Sequence, residues 1–502
     1  MTVAITRGAK DTGVIRITAD ASWWLFCLLI IGLNFLLLAM DPLPKVYLGD
    51  SQSYLWTALS GWIPPDRSFL YGYVIRWSSL GTQSLTSLLI LQTFLGAFTA
   101  ISVAFICRWI FELTSLWSYF FGFLCSVDPL QLVWQRYVLT ETISLFFYGL
   151  TLLFAFVYLR QRSIWQLVIV QALSVLVISF RMSYLLVIQM SAFLLPLIAF
   201  FPEFRAAFRK HSSMQSRISV ARLTGLHLAV SIFFAFVLLQ GYQQVNGRLA
   251  GREPAYLQQT GLRMLATWAP ALKPSDSPDP RLAKIIADGG KFELNNPKAR
   301  NGQLHAPGYL IDRWRQIEPN RAVQDQVAKQ TALHALLHRP MNVARLGIDT
   351  FLSYWDFSLF HRLTKADLTT AFPWEPAMAN YAEHFHLSPP RPEDVKAYTL
   401  LQRYNVRAQP NCYVVLVSPL ICAGLLFFVS QSYVFLLCVH SWILLTTITL
   451  LSVVPSARYL QPMSLLTILI FAALVKAFTD RRWRSTRLES PVLSEMGEYH
   501  GN

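Results

Sequence analysis

The stretch that decides the fold is ASWWLFCLLIIGLNFLLLAM, residues 21–40, which carries no charged side chain. A helix needs roughly 20 consecutive apolar residues to cross the hydrocarbon core of a bilayer. This run has that length, so it predicts a membrane-spanning helix. It exceeds the apolar core of a signal peptide, about 7–15 residues, and no small-residue cleavage site follows Met40. It therefore reads as an anchor. Further apolar runs follow near 84–107, 115–130, 138–158, 164–180, 183–201, 223–243, 411–430, 432–452 and 459–477. The third is short, with Asp128-Pro129 at its end, and the tight hinge Ser430-Gln431-Ser432 predicts a helical hairpin. The expectation is an all-α polytopic membrane protein of about ten transmembrane helices. Composition agrees: 14% of the 502 residues are charged, where a soluble protein has about a quarter.

The net charge of +15 is not spread evenly. Basic residues gather in short loops: Arg7, Lys10 and Arg16; Arg108; Arg160 and Arg162; Arg205, Arg209, Lys210, Arg217 and Arg222; then Lys476, Arg481, Arg482, Arg484 and Arg487. The positive-inside rule puts these loops and both termini in the cytoplasm. The remaining basic excess suits anionic lipid or phosphate, and no nucleic-acid-binding signature is present. All six cysteines lie in or beside apolar spans without metal or disulfide spacing, as packing residues do.

This topology divides the chain into an N-terminal transmembrane module, 1–243, with a first outer loop at 41–83. An extracytoplasmic, mainly helical domain follows at 244–409, with helices expected near 320–338, 341–356 and 391–405. C-terminal transmembrane helices occupy 410–478, and a basic cytoplasmic tail 479–502. Segment 341–360, with Leu346, Phe351, Leu352, Tyr354, Trp355 and Phe357, reads as a piece lying on the membrane surface. No internal repeat is found.

The chemistry-bearing residues collect at outer span ends. Asp50 lies just beyond the first span in Tyr47-Leu48-Gly49-Asp50-Ser51-Gln52-Ser53-Tyr54. A lone loop aspartate is ordinarily only hydrated. The same loop holds Pro64-Pro65-Asp66-Arg67, read as the start of a helix after the prolines. Asp128 stands in a second short outer loop, and Glu141 opens the fourth span in Leu139-Thr140-Glu141. A carboxylate there must be paired or face a wet cavity, and Arg136 is a partner close in sequence. Arg181 stands between the fifth and sixth spans, and Arg458 heads the last in Ala457-Arg458-Tyr459-Leu460-Gln461-Pro462. Guanidinium groups suit phosphate because they donate in a fixed fork and stay charged. An ion pair with Glu141 or a role as interfacial anchor are the alternatives. The pairs His334/His338 and His384/His386 lack the glutamate of a zinc-protease motif and read as surface or packing residues. No nucleophile elbow, phosphate-binding loop or dinucleotide fingerprint is present.

Taken in order, an acid after the first span, Leu-Thr-Glu at the fourth, arginine at a mid-chain outer turn and Ala-Arg-Tyr-Leu-x-Pro at a late span resemble the GT-C superfamily of membrane glycosyltransferases. The branch most similar is that of dolichyl-phosphate-mannose protein mannosyltransferases and aminoarabinose transferases. The stretch Ala335 to Trp355, with His338-Arg339-Pro340, also looks like an element of such proteins. Many members of the branch show two adjacent acids where this chain has Asp50-Ser51.

The resemblance implies a sugar donor on a polyprenyl phosphate, a glycan, lipid or protein acceptor, and inversion at the anomeric carbon. Asp50 would be the general base, and Asp128 a second catalytic acid that orients the acceptor. Arg181 and Arg458 would hold the donor phosphate, supported by Glu141, Arg136, Tyr54, Arg67 and Tyr459. A metal-free reaction is the default, with Mg²⁺ or Mn²⁺ on Asp50 and Asp128 as the variant. The expected location is the bacterial inner (plasma) membrane. Two other readings compete: a transporter or flippase of lipid-linked sugars, and a non-catalytic GT-C-like protein of envelope assembly. A transporter would carry ionisable groups near mid-membrane on broken helices. Here they sit at outer span ends, and Asp50, Asp128, Glu141, Arg181 and Arg458 are expected to line one outward-facing cavity.

Overall fold

A computed structural model describes residues 20–47, 49–209, 214–369, 375–387, 398–429 and 431–488. Among them no strand forms; the one extended pairing is an isolated bridge between Lys45 and Tyr137. The N-terminal half runs α1 (Ala21–Met40), α2 (Asp50–Ser60), α3 (Leu70–Ile75), α4 (Thr86–Phe105), α5 (Ser115–Ser126), α6 (Pro129–Trp134), α7 (Glu141–Gln161), α8 (Ile164–Phe180), α9 (Leu185–Arg209) and α10 (Met214–Ala250). The outer segment adds α11 (Thr260–Thr267), α12 (Pro280–Ala287), α13 (Arg300–His305), α14 (Leu310–Ile317), α15 (Arg321–His338), α16 (Pro340–Trp355), α17 (Phe357–Asp367) and α18 (Glu375–Phe385). The chain then returns through α19 (Leu400–Arg407), α20 (Asn411–Leu426), α21 (Ser432–Leu450) and α22 (Gln461–Leu488).

The protein is an all-helical, polytopic membrane protein, and each of the ten apolar runs contains a helix. Among the described residues, seven helices are long and apolar enough to cross a bilayer, or eight if the pair Leu400–Arg407 and Asn411–Leu426, bent by 52°, counts as one span. The rest are short for a local reason. Helix α5 stops at Ser126 because Asp128 turns the chain to cap α6, and 12 residues rise only about 18 Å against a core of about 30 Å. Helix α8 stops where Arg181 takes an extended conformation.

The two ends of the bundle differ chemically. At one, Asp20 before α1 pairs with Arg108, Arg160 with Glu112 and Arg162 with Glu203. Phe111 stacks on Tyr433 there. The start of α1 therefore lies at the same end as the loop after α4 and the start of α21. At the other end lie Asp50, Glu141, Arg181 and Arg458.

The outer segment has its own core around Leu262, Leu282, Leu310, Trp314 and Ala335. Helix α10 continues past the apolar run, expected near 223–243, to Ala250, so the polar change near residue 244 is not the end of the helix. The helices expected at 320–338 and 341–356 are α15 and α16. Of the one expected at 391–405, residues 391–397 lie outside the described set, 398 and 399 precede the helix, and 400–405 fall in α19. Leu48, Ser430 and the tail beyond 488 are also outside it.

Candidate active site

Asp50 is the first residue of α2. Gly49 before it sits at φ +50°, a left-handed conformation that glycine adopts without a Cβ penalty. That turn brings the chain into the helix with an acid at its positive end. Both Asp50 oxygens are engaged. Oδ1 pairs with Arg67 Nη1, and Oδ2 accepts a 2.8 Å hydrogen bond from Arg458 Nη1. Burial would raise the carboxyl pKa, but the charges of Arg458 and Arg67 overcome it and hold the group below the ordinary carboxylate range.

Arg458 stands in a single 3₁₀ turn, Ala457–Leu460, whose Ser456 cap accepts from the Arg458 amide. Its guanidinium reaches Asp50 through Nη1 and Glu141 through Nε, and lies 4.7 Å over the Tyr47 ring. Glu141, the first residue of α7, also has Arg181 Nη1 at 3.5 Å. Arg181 in turn lies over Tyr459, and its Nη1 has no hydrogen-bond partner. Exposure separates the two acids. The Glu141 side chain is 0% exposed and cannot meet a substrate. The Asp50 side chain is 26% exposed and can.

Arg67 is held on its far side by Asp66, which also pairs with Arg263 from α11. The expected helix after the prolines begins later, at Leu70; Asp66 and Arg67 form a turn instead. Arg67 lies over Tyr54, and Tyr54 meets Tyr71 edge-on. The site thus alternates carboxylate and guanidinium from Arg263 through to Arg181.

Three placements depart from the sequence reading. Asp128 is the buried N-cap of α6, bound by Ser464 Oγ at 2.6 Å and the Leu130 amide. Burial raises its carboxyl to about 6 against those hydrogen bonds. It shares no hydrogen bond or ion pair with Asp50, Arg67 or Arg458 among the described residues. Arg136 does not pair with Glu141. Its carbonyl accepts from the Lys45 amide, and Lys45 accepts from the Val138 amide, which fixes the backbone and turns the side chain toward Thr93 and Gln135. Third, Asp367 was missed. It ends α17 in the outer segment, accepting from Tyr47 OH at 2.9 Å and Ser456 Oγ at 2.5 Å. Nothing in Leu363-Thr364-Lys365-Ala366-Asp367 marks it, because its partners lie far away in sequence.

The donor set does not fit a divalent cation. Both Asp50 oxygens face guanidinium groups, Asp128 is bound elsewhere, and no three His, Cys, Asp or Glu side chains gather to hold a metal among the described residues. His334 and His338 both turn to Asp276.

No family model matches the chain, and no curated protein matches it. Among solved structures it is similar to the apo form of the oligosaccharyltransferase of Archaeoglobus fulgidus, with a TM-score of 0.41 and 12% identity over 93% of this chain and 52% of that one. The chain thus aligns with about half the length of that protein, at a TM-score too low to establish a common fold.

Proposed function

We propose that this protein is a membrane glycosyltransferase of GT-C type, transferring a sugar from a polyprenyl-phosphate carrier to an acceptor at the outer membrane surface. The observation that carries the reading is the contact of Asp50 with Arg458. It joins a reachable carboxylate to a guanidinium beside a second, incompletely bonded arginine, at one end of the spans. The motif resemblance supports the same reading.

The chemistry follows from the pairing. The carriers of the site's charges balance, four carboxylates (Asp50, Asp66, Glu141, Asp367) against four arginines (Arg67, Arg181, Arg263, Arg458). An arriving phosphate must compete with a carboxylate for its guanidinium. Arg181 Nη1 offers an unfilled donor, and Arg458 is shared between two acids. Donor phosphate drawing Arg458 toward itself would loosen it from Asp50. A carboxylate between two arginines is a weak base, and losing one raises its proton affinity. Asp50 then takes the acceptor's O–H or N–H proton as that atom bonds to the anomeric carbon. The bond from that carbon to the phosphate oxygen breaks with inversion. Its electron pair stays on the phosphate, where Arg181 and Arg458 stabilise the charge. Glu141 holds the two arginines in place without touching substrate, and no metal is needed. The protein is placed in a bacterial inner membrane, termini inside.

Mass spectrometry of envelope glycans and glycoproteins with and without this protein tests the reading. Loss of one defined sugar is the expected result. Unchanged glycans, with flux of a labelled carrier lipid, would favour the flippase.

A further inference from the structure

Helix α16 presents two opposite faces. Val343, Leu346, Gly347, Thr350 and Tyr354 are buried. On the other side, Met341, Ile348, Leu352 and Trp355 are 77%, 58%, 57% and 42% exposed. With spacings of seven, four and three they form one stripe of the helix, and Arg345, also exposed, lies on it. A row of large apolar side chains left to water is a poor surface, and such rows mark contact with a partner or a membrane.

What covers the stripe is indicated by what α16 touches. A Cβ on Gly347 would run into Leu450, the last residue of span α21, and Trp268 Nε1 donates to the Leu450 carbonyl. Tyr354 OH accepts from the amide of Ser456, just before the final span. Trp355 stacks on Tyr413 near the start of α20. Residues 347 to 355 thus meet the ends of three apolar helices at one end of the bundle, the level of the membrane boundary. Leu451 and Val414, neighbours of two of these contacts, are themselves exposed, so the lipid-facing surface of the spans continues onto α16.

We infer that the stripe Met341, Ile348, Leu352 and Trp355 is seated in the bilayer interface, with α16 lying along the membrane surface. Trp355 supplies an interfacial aromatic group and Arg345 a charge that reaches back to the headgroups. The occupant is lipid. The helix leads directly into α17, whose Asp367 holds Tyr47 and Ser456, so lipid seating also fixes one wall of the candidate site. The inference holds whatever reaction that site performs.

The test is nitroxide labelling of the full chain in nanodiscs of phosphatidylethanolamine and phosphatidylglycerol. All six native cysteines are buried, leaving an introduced thiol as the reactive one. Ile348→Cys and Leu352→Cys report the stripe, Leu420→Cys on α20 the lipid-facing reference, and Lys298→Cys the water-facing one. Relaxation by oxygen exceeding that by a water-soluble nickel chelate at 348 and 352, as at 420, is the expected result. Nickel relaxation matching position 298 would overturn it. Shielding from both agents with spin–spin broadening would overturn it equally, in favour of a second copy of the chain.

Discussion

Asp50 and Arg458, separated by 408 positions in the chain, share a 2.8 Å charge-assisted hydrogen bond. It ties the loop after the first span to the turn that opens the last one. Around it, Glu141 and Arg67 complete an ion-pair network in which Asp50 keeps the more open edge. This arrangement separates a group that can meet substrate from groups that hold it ready.

Arg458→Gln should destabilise the protein. Glu141 is fully buried, and removing a partner from a buried ion pair costs about 3–5 kcal/mol. Thermal unfolding in detergent should show that loss. Adding Glu141→Gln should recover part of it, because the stranded charge is then gone. Equal stability of the single variant and the wild type would mean that Glu141 does not depend on Arg458.

Asp128→Asn should fold and retain transfer. Asparagine caps a helix about as well as aspartate; its oxygen can accept from the Leu130 amide and its nitrogen can face Ser464. It also removes a carboxyl whose pKa, raised to about 6, leaves it mostly ionised at neutral pH but makes that ionised form less favourable in the folded chain than in the unfolded one. A folded variant that has lost transfer about 100-fold, the scale of a general acid or base, would restore Asp128 as a catalytic residue.

Acid stability should depend on Arg67. Burial opposes the ionisation of Asp66, but Arg67 and Arg263 prevail and bring its carboxyl from 3.8 down to about 2. A depressed carboxylate pKa stabilises the fold above the unfolded value and loses that stabilisation as pH falls through the folded one. For Asp66 this is about 2 kcal/mol, fading between pH of about 4 and 2. Asp50 has the same sign. Arg67→Gln should therefore move acid unfolding to higher pH, followed by circular dichroism. An unmoved curve would contradict the network.

Asp367→Ala should reduce transfer about tenfold, equivalent to about 1.4 kcal/mol of transition-state stabilisation. It frees Tyr47 and the Ser456 hydroxyl, which caps the turn that carries Arg458. Because the effect passes through Arg458, the KM for the lipid donor should rise. An unchanged KM together with unchanged kcat would place Asp367 outside the site.

The helices were legible because bilayer thickness imposes a length that apolar runs record directly. Asp50, Arg181, Glu141 and Arg458 were legible because charges at span ends are costly unless they have a purpose. Partnership was legible only in part. The sequence offers Glu141 both Arg136, five positions away, and the distant Arg181 and Arg458, and the structure selects the distant pair; the Lys45–Arg136–Val138 backbone bonds that turn Arg136 aside leave no local signature. Asp367 sits in an ordinary polar helix end, and only the packing of the outer segment onto Tyr47 and Ser456 gives it meaning. Helix α10 runs on to Ala250 because a change in hydropathy limits an apolar run, not a helix, and the helix continues through Gly241 and Gly247 despite their low helix propensity.

The most direct measurement is single-turnover transfer from a radiolabelled polyprenyl-phosphate sugar by the purified protein and by Asp50→Asn in nanodiscs. The substitution is close to isosteric, and unfolding in detergent would establish that the variant folds. Loss of transfer by about 100-fold or more, with donor binding retained, is the predicted result. Transfer by Asp50→Asn at the wild-type rate would contradict Asp50 as the base. A wild-type protein that moves the labelled lipid across the bilayer without transferring its sugar would contradict the glycosyltransferase itself.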